Sequence, residues 1–485
     1  MSIVNSVWWV VQRVHRSWLV ALVCGGFVIG VAVSLILRIN LFISMAGFVG
    51  LIVCISIARA YTLPFVTLAS VIVGLGFGTA HLVSRDSYAF FINKSVQIKG
   101  RIKEDISLSA SGASSIQLDN VELDNEVMPG SVYASFRGKT EAKRGDFLYG
   151  YGEVSEGFGS FPASLSLIKI TQIRRTIPGD VGRVMRDWFA DAVRRVIPEP
   201  QASLGIGSLT GQKSALPPDL ADALKIAGLT HIVVASGYNL TILVRMARKL
   251  FAKVSKYMSA LSASIMIAAF VAITGLSPSM TRAGLVSSMS LLSWYYGHVF
   301  RPFILLPVAA AITVAFQPSY VWGDLGWQLS FSAFAGVMIL APLLQAYFYG
   351  AKEPGIFRQI LGETIAAHIV TIPIIALSFG TVSNVAIIAN ILVVPLVPLA
   401  MLLTFICGIG SILAVPFLFI IATPTTWLLQ YMTTVASFVS ELSWAQSEIN
   451  TPPTLWIVYG VVLAAISYWM WRASRYNFRK GSVST

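Results

Sequence analysis

Residues 364–440 contain no Asp, Glu, Lys or Arg, and that run constrains the fold more than any other feature of the chain. About a quarter of the residues in a soluble domain are charged, so a stretch this long without one belongs in lipid. A helical crossing takes about 20 apolar residues, and the run accommodates about three or four crossings. Similar windows recur at Ser17–Leu37, Ile39–Ala58, Tyr61–Val83, Tyr257–Thr281, Leu325–Ala351 and Asn450–Trp471. The chain as a whole is 55% hydrophobic and 12% charged. It reads as an α-helical polytopic membrane protein with about 11–12 transmembrane helices, because lipid admits only helices and closed barrels.

Basic residues set the orientation. Arg13 and Arg16 precede the first span and Arg59 ends the second, which places both ends on the cytoplasmic side. The first run is as long as a full crossing and two more follow, so it reads as a retained span rather than a cleaved signal. Residues 1–83 are thus N-terminal transmembrane helices, and 84–177 should be extracytoplasmic. There Val96, Ile98 and Ile102 alternate with Gln97, Lys99 and Arg101, and comparable runs follow at Ser115–Leu123, Ser131–Phe136, Asp146–Val154 and Ser166–Ile173. Five short strands separated by Gly/Ser/Pro turns predict a small all-β domain of OB-like type. From Lys94 to Glu156 eight Lys/Arg meet ten Asp/Glu, a net of −2, whereas a nucleic-acid groove is usually electropositive. Tyr133, Phe136, Phe147, Tyr149 and Tyr151 offer either core or stacking surface.

Asp180–Val196 interleaves Arg183, Arg186, Arg194 and Arg195 with Val184, Trp188, Phe189, Val193 and Val196. This predicts an amphipathic surface helix over 178–200, lying on membrane lipids. Arg245, Arg248, Lys249, Lys253 and Lys256 mark a cytoplasmic loop, and the tail 473–485, with Arg475, Arg479 and Lys480, is cytoplasmic too. The net charge of +13 fits this loop bias and does not by itself indicate nucleic acid. Cys24, Cys54 and Cys407 fall within apolar spans, where cysteine behaves as a small hydrophobe.

No H-E-x-x-H, G-x-S-x-G or metal-ligand cluster is present, so no enzyme, metal or cofactor is expected. Gly211-Gln212-Lys213-Ser214 falls short of a phosphate-binding loop, because Gln212 separates glycine from lysine. Within 201–472, polar residues interrupt apolar runs at four places: His231 with Ser236 and Asn239, Ser277 with Arg282, Asp324 with Gln328 and Ser330, and Asn390. Lipid cannot satisfy broken backbone, so such breaks line water or lie inside protein. Arg282 and Asp324 both fall at outer span ends, where a pairing is geometrically allowed. These features alone also suit a secondary transporter of a small polar solute or a non-catalytic scaffold.

Four blocks resemble the membrane-embedded competence region of the ComEC family: L-T-G-Q-K-S-A-L-P-P-D-L through G-L-T-H-I-V-V-A-S-G (Leu209–Gly237), T-G-L-S-P-S-M-T-R-A (Thr274–Ala283), G-W-Q-L-S-F (Gly326–Phe331) and F-G-T-V-S through A-N-I-L-V-V-P-L (Phe379–Leu396). The resemblance implies an inner-membrane channel passing single-stranded DNA into the cytoplasm, with an OB-like insert. It also implies an external DNA receptor and a cytoplasmic motor as partners. Lys213 and Arg282 are then the expected phosphate contacts, on a path with His231, Ser236, Asn239, Ser277, Asp324, Gln328, Ser330 and Asn390. Many members add a C-terminal metallo-β-lactamase-like domain. This sequence lacks its histidine-rich motif, so no nuclease is expected. Asn239 also stands where the family pattern commonly has histidine.

Overall fold

The computed structural model describes residues 16–57, 63–108, 113–138, 140, 142–176, 179–212, 216–233, 237–275, 277–297, 302–350, 355–449, 451–474, 476–477 and 482–483. Among them, six helices are long and apolar enough to cross a membrane: Leu63–Phe91, Lys256–Thr274, Leu325–Tyr349, Arg358–Phe379, Ala386–Ile412 and Pro453–Ser474. Shorter apolar helices lie at Trp18–Val33, Phe42–Ser56 and Ile304–Phe316. The contacts divide the chain into two compact units, one of Met1–Asp180 with Ser288–Trp327, the other of Val181–Ser287 with Gln328–Thr485.

In the first unit, helices α1 (Arg16–Val33), α2 (Leu41–Ile57) and α3 (Leu63–Arg85) pack together. Apolar side chains gain little by leaving lipid for one another, so small residues that admit close backbone approach decide such contacts. Gly26 and Gly30 on α1, with Ser34 just past its end, recur every four residues and face Ser70, Gly74 and Gly78 on α3. A β-carbon at Gly30 would run into the Val71 carbonyl, one at Gly74 into the Phe27 carbonyl, and one at Gly78 into the Ser34 hydroxyl. The Pro302–Phe316 helix, far along the chain, also packs against α1.

The β domain follows α3 through a 3-10 turn, Asp86–Phe91. Its strands are β1 (Ser95–Ile102), β2 (Ser107–Leu108), β3 (Ala113–Leu123), β4 (Glu126–Val127), β5 (Val132–Arg137), β6 (Phe147–Glu156) and β7 (Ala163–Arg174). The five long strands pair in the cycle β1-β6-β7-β5-β3-β1, so the sheet closes on itself. All these pairs are antiparallel except β5 with β7. Period-two alternation sends Ile98, Ile102, Leu118, Leu123, Leu148 and Leu165 into a fully buried core. Tyr88 plugs the core from the 3-10 turn, its hydroxyl donating to the Pro129 carbonyl at 3.0 Å. Phe136 is buried there too, whereas Tyr133 packs outside against Phe158 and Phe161. Leu118→Ala should cost about 2–5 kcal/mol, because the barrel cannot collapse around the lost volume. Hydrogen exchange should show it as lost amide protection across β1–β7.

Two joints fix this barrel within its unit. Arg85 Nη2 donates to the Phe161 carbonyl at 2.8 Å, and Gly159 abuts the backbone of Gly323 so closely that neither position accepts a β-carbon. At its exit, buried Arg144 pairs with Asp180, Nε to Oδ2 at 2.6 Å. One charge on the outer wall responds to pH. Asp119 stands opposite Arg101 in the β1–β3 register, its buried Oδ1 has no hydrogen-bond partner among the described residues, and burial raises its carboxyl above the usual range while Arg101 and Lys103 oppose the shift. An acid with a raised folded-state pKa binds more protons folded than unfolded, so stability falls as pH rises past the ordinary carboxylate range. Thermal melts should show this pH-dependent loss flattened, and stability at neutral pH raised, in Asp119→Asn.

The second unit begins with α4 (Val181–Arg194), α5 (Gln201–Thr210) and α6 (Pro218–Ile226). It continues with α7 (Gly237–Phe251), α8 (Lys256–Thr274) and the part of α9 (Pro278–Tyr295) that precedes Ser288. Helix α5 is buried from Ala202 to Thr210 and lies at the centre of the core, with Leu204 and Ile206 packed among Leu229, Val397, Met401 and Leu429. Around it stand the Ala386–Ile412 and Phe419–Ser440 helices. The window Tyr257–Thr281 breaks earlier than hydropathy suggests: α8 stops at Thr274, and Gly275 takes φ 89°, a left-handed conformation in which glycine pays no steric cost.

Helix α4 presents its arginines differently from a simple surface helix. Val181, Val184, Met185 and Trp188 form an exposed apolar stripe. On the packed side, Gly182 abuts the Ala272 carbonyl and Phe189 fills the space over Gly408. Arg186 shares that side, four residues after Gly182, so it is buried rather than exposed and pairs with Asp187 at 3.1 Å. Arg194 and Arg195 do reach the surface, and Arg183 is partly buried.

Candidate functional site

Three helix segments of the second unit meet around Arg282. Ser277 starts α9: its hydroxyl accepts from Met280 N at 3.4 Å and its carbonyl from the Thr281 hydroxyl at 3.0 Å. One turn on, Arg282 is only 8% exposed. Its guanidinium carbon lies 5.7 Å from the centroid of Phe331 and 5.6 Å from that of Phe334. Both rings belong to the Leu325–Ala335 helix, as does Ser330, whose hydroxyl lies 3.4 Å from that of Ser279. The third segment is α7. A β-carbon on Gly237 would stand 3.2 Å from Arg282 Nη2, so the bare backbone is what lets this helix approach the guanidinium.

Two residues on, Asn239 is 1% exposed. Its Nδ2 donates to the Ser208 carbonyl on α5 at 2.9 Å and to the Ile232 carbonyl at 3.3 Å. Asn239 therefore ties α7 to the buried core. His231 lies on a single helical turn, Thr230–Val233, with its ring exposed and Nδ1 3.2 Å from the Gly228 carbonyl.

The electrostatics of Arg282 are one-sided. Among the described residues its buried Nε has no hydrogen-bond partner and no carboxylate is paired with it. Two phenyl faces offer a cation only part of what water would, up to about 2 kcal/mol in a desolvated setting. Leaving a cation buried without an anion is far more costly than that. The arrangement consequently favours an incoming anion.

The expected path residues do not form one cluster, and His231 stands apart on its own turn. Arg282, Asn239, Ser277 and Ser330 come together as described, with Gln328 on the same helix as Ser330. Asn390 is buried in the Ala386–Val393 helix with its Oδ1 unpartnered among the described residues. Asp324 belongs to the first unit, where its Oδ1 accepts from Trp327 N at 2.6 Å and starts the Leu325 helix. Lys213 and Ser236 lie outside the described residues. Phe331, Phe334 and Gly237 were not legible as site residues. The only signal was their place beside the polar breaks, since apolar residues and glycine carry no chemistry of their own.

A family model described as "Competence protein" matches residues 208–475, more than half of the chain. No curated protein and no solved structure matches.

Proposed function

The chain belongs to the competence protein family, and from that premise we propose that it conducts single-stranded DNA across the inner membrane into the cytoplasm. The observation that carries this reading is the buried Arg282, which among the described residues has no carboxylate paired with it, since a strand entering a low-dielectric passage needs cations near its phosphates. His231, Ser236, Ser277, Gln328, Ser330 and Asn390 line the path with neutral donors and acceptors. Lys213 adds a second cation, and Asp324 shapes the entrance.

In this proposal residues 1–83 anchor the chain, 84–177 receive the strand outside and 201–472 form the conduit. The segment 178–200 rests on lipid through its exposed Val181, Val184, Met185 and Trp188, and 473–485 lie in the cytoplasm with the N-terminus. The cyclic five-strand order with one parallel pair supports an OB-type barrel. About 11–12 crossings complete the bundle. The driving force comes from a cytoplasmic motor, and an outer receptor delivers the DNA.

A deletion strain supplied with labelled DNA tests the proposal. Label should accumulate outside the inner membrane and fail to reach the cytoplasm. Normal cytoplasmic uptake in that strain would refute the conduit.

A further inference from the structure

The turn between α7 and α8 carries charge of one sign only. Residues 223–323 contain no Asp or Glu and eight Lys or Arg, of which Arg245, Arg248, Lys249, Lys253 and Lys256 fall within 245–256. We propose that this turn is a lipid-binding surface, which holds the phosphates of anionic phospholipid headgroups against Arg245, Lys249 and Lys253. The proposal goes beyond the conduit reading and does not depend on it.

Its placement comes from α8. That helix is long and apolar enough to cross a membrane and starts at Lys256, so the residues just before it lie where hydrocarbon gives way to headgroups. Helix α7 is not among the described helices with that length and composition. Its packing settles which side faces outward. Leu240, Val244 and Ala247 are buried, and the Ala247 carbonyl accepts from Ser262 Oγ on α8 at 3.0 Å. Arg245 and Lys249 lie one turn apart on the opposite, exposed side, and exposed Lys253 follows in the turn. Among the described residues no carboxylate pairs with these three. Ser255 N donates to the Phe251 carbonyl at 3.2 Å, and Ser255 Oγ accepts from Tyr257 N at 3.2 Å. The cations are therefore arrayed on a formed turn before any lipid arrives, which lowers the ordering cost of binding.

What lies between the cations selects the partner. Leu250 is 74% exposed, Val254 71% and Tyr257 61%. A single-strand surface couples its cations to stacking rings, whereas bare leucine and valine among lysines suit a helix end dipped into headgroups. There the methyl groups sink toward the acyl chains and the ammonium heads reach up to the phosphates. A tyrosine at the start of a crossing helix belongs to the same level.

Hydrogen exchange read by mass spectrometry tests this on the full chain in nanodiscs of phosphatidylcholine, with and without phosphatidylglycerol. Amides of 250–256 should exchange about fivefold more slowly in the anionic discs, a factor that the attraction of about one basic side chain to an anionic surface supplies. High salt should erase the difference. The combined Arg245→Gln, Lys249→Gln and Lys253→Gln variant should show no slowing, while its α8 amides beyond Ser262 exchange as in the wild type. Leu250→Ser with Val254→Ser should keep only part of the slowing. Equal exchange of wild-type 250–256 in the two discs would overturn the proposal. So would protection by oligothymidylate in neutral discs without protection by phosphatidylglycerol, which would make the turn a nucleic-acid surface.

Discussion

Replacing Arg282 with glutamate should lower transformation by about a hundredfold or more, with the protein still present in the membrane at its normal level. A hydrogen bond to a charged group contributes about 1.5–3 kcal/mol, and every 1.4 kcal/mol is about tenfold. Glutamate also brings a like charge against each passing phosphate. The graded series separates this from misfolding. If the site faces an anion, transformation should fall in the order lysine, glutamine, glutamate. If Arg282 only props the helices apart, glutamine and glutamate should act alike and both should reduce protein abundance. Transformants per viable cell, normalised to immunoblot intensity, decide between the two. A glutamate variant within twofold of the wild type at equal abundance would remove Arg282 from the path.

The second large effect concerns assembly. Gly74→Leu should separate α1 from α3 and sharply lower the melting temperature of the detergent-solubilised protein. A β-carbon at Gly74 meets the Phe27 carbonyl, and that position stands 3.1 Å from the Gly30 α-carbon. Overpacking generally costs about 1–3 kcal/mol where side chains can yield, and here the obstacle is main chain, which cannot. Gly25→Leu supplies the control, because nothing lies within 4 Å of a β-carbon there. The same apolar bulk one helix face away should leave melting unchanged. Equal melting of the Gly74→Leu and wild-type proteins would mean that the two helices do not pair in this register.

The five long strands of the barrel were readable, because alternation of Val96, Ile98 and Ile102 with polar neighbours is a local signal, whereas the two-residue strands β2 and β4 are too short to alternate. The closure through a parallel β5–β7 pair was not readable, since it joins residues whose separation leaves no local trace. The membrane helices were readable as apolar windows, yet the windows were blind to where they break and to what they touch. Gly275 ended α8 seven residues before Arg282, inside a stretch that hydropathy treats as continuous. The stripes Gly26/Gly30 and Gly74/Gly78 were present in plain sight as four-residue spacings, but only the close approach of α1 and α3 gives them meaning. At the site, Asn239 was identifiable as an unusual polar residue in an apolar run. Its partners, Ser208 and Ile232, offer main-chain carbonyls, which no side-chain pattern can announce.

The Pro302–Phe316 helix carries a consequence for any attempt to take this protein apart. It sits inside the stretch that matches the competence family, yet it packs against α1, near the beginning of the chain, and Gly323 just after it abuts the barrel at Gly159. The matched stretch is therefore not a detachable module. A fragment starting near residue 208 would keep a helix whose partner had been cut away, and would bare a glycine surface shaped for a barrel no longer there. Residues 1–180 hold the scaffold into which part of the matched stretch is plugged, so swaps between relatives should exchange the two together.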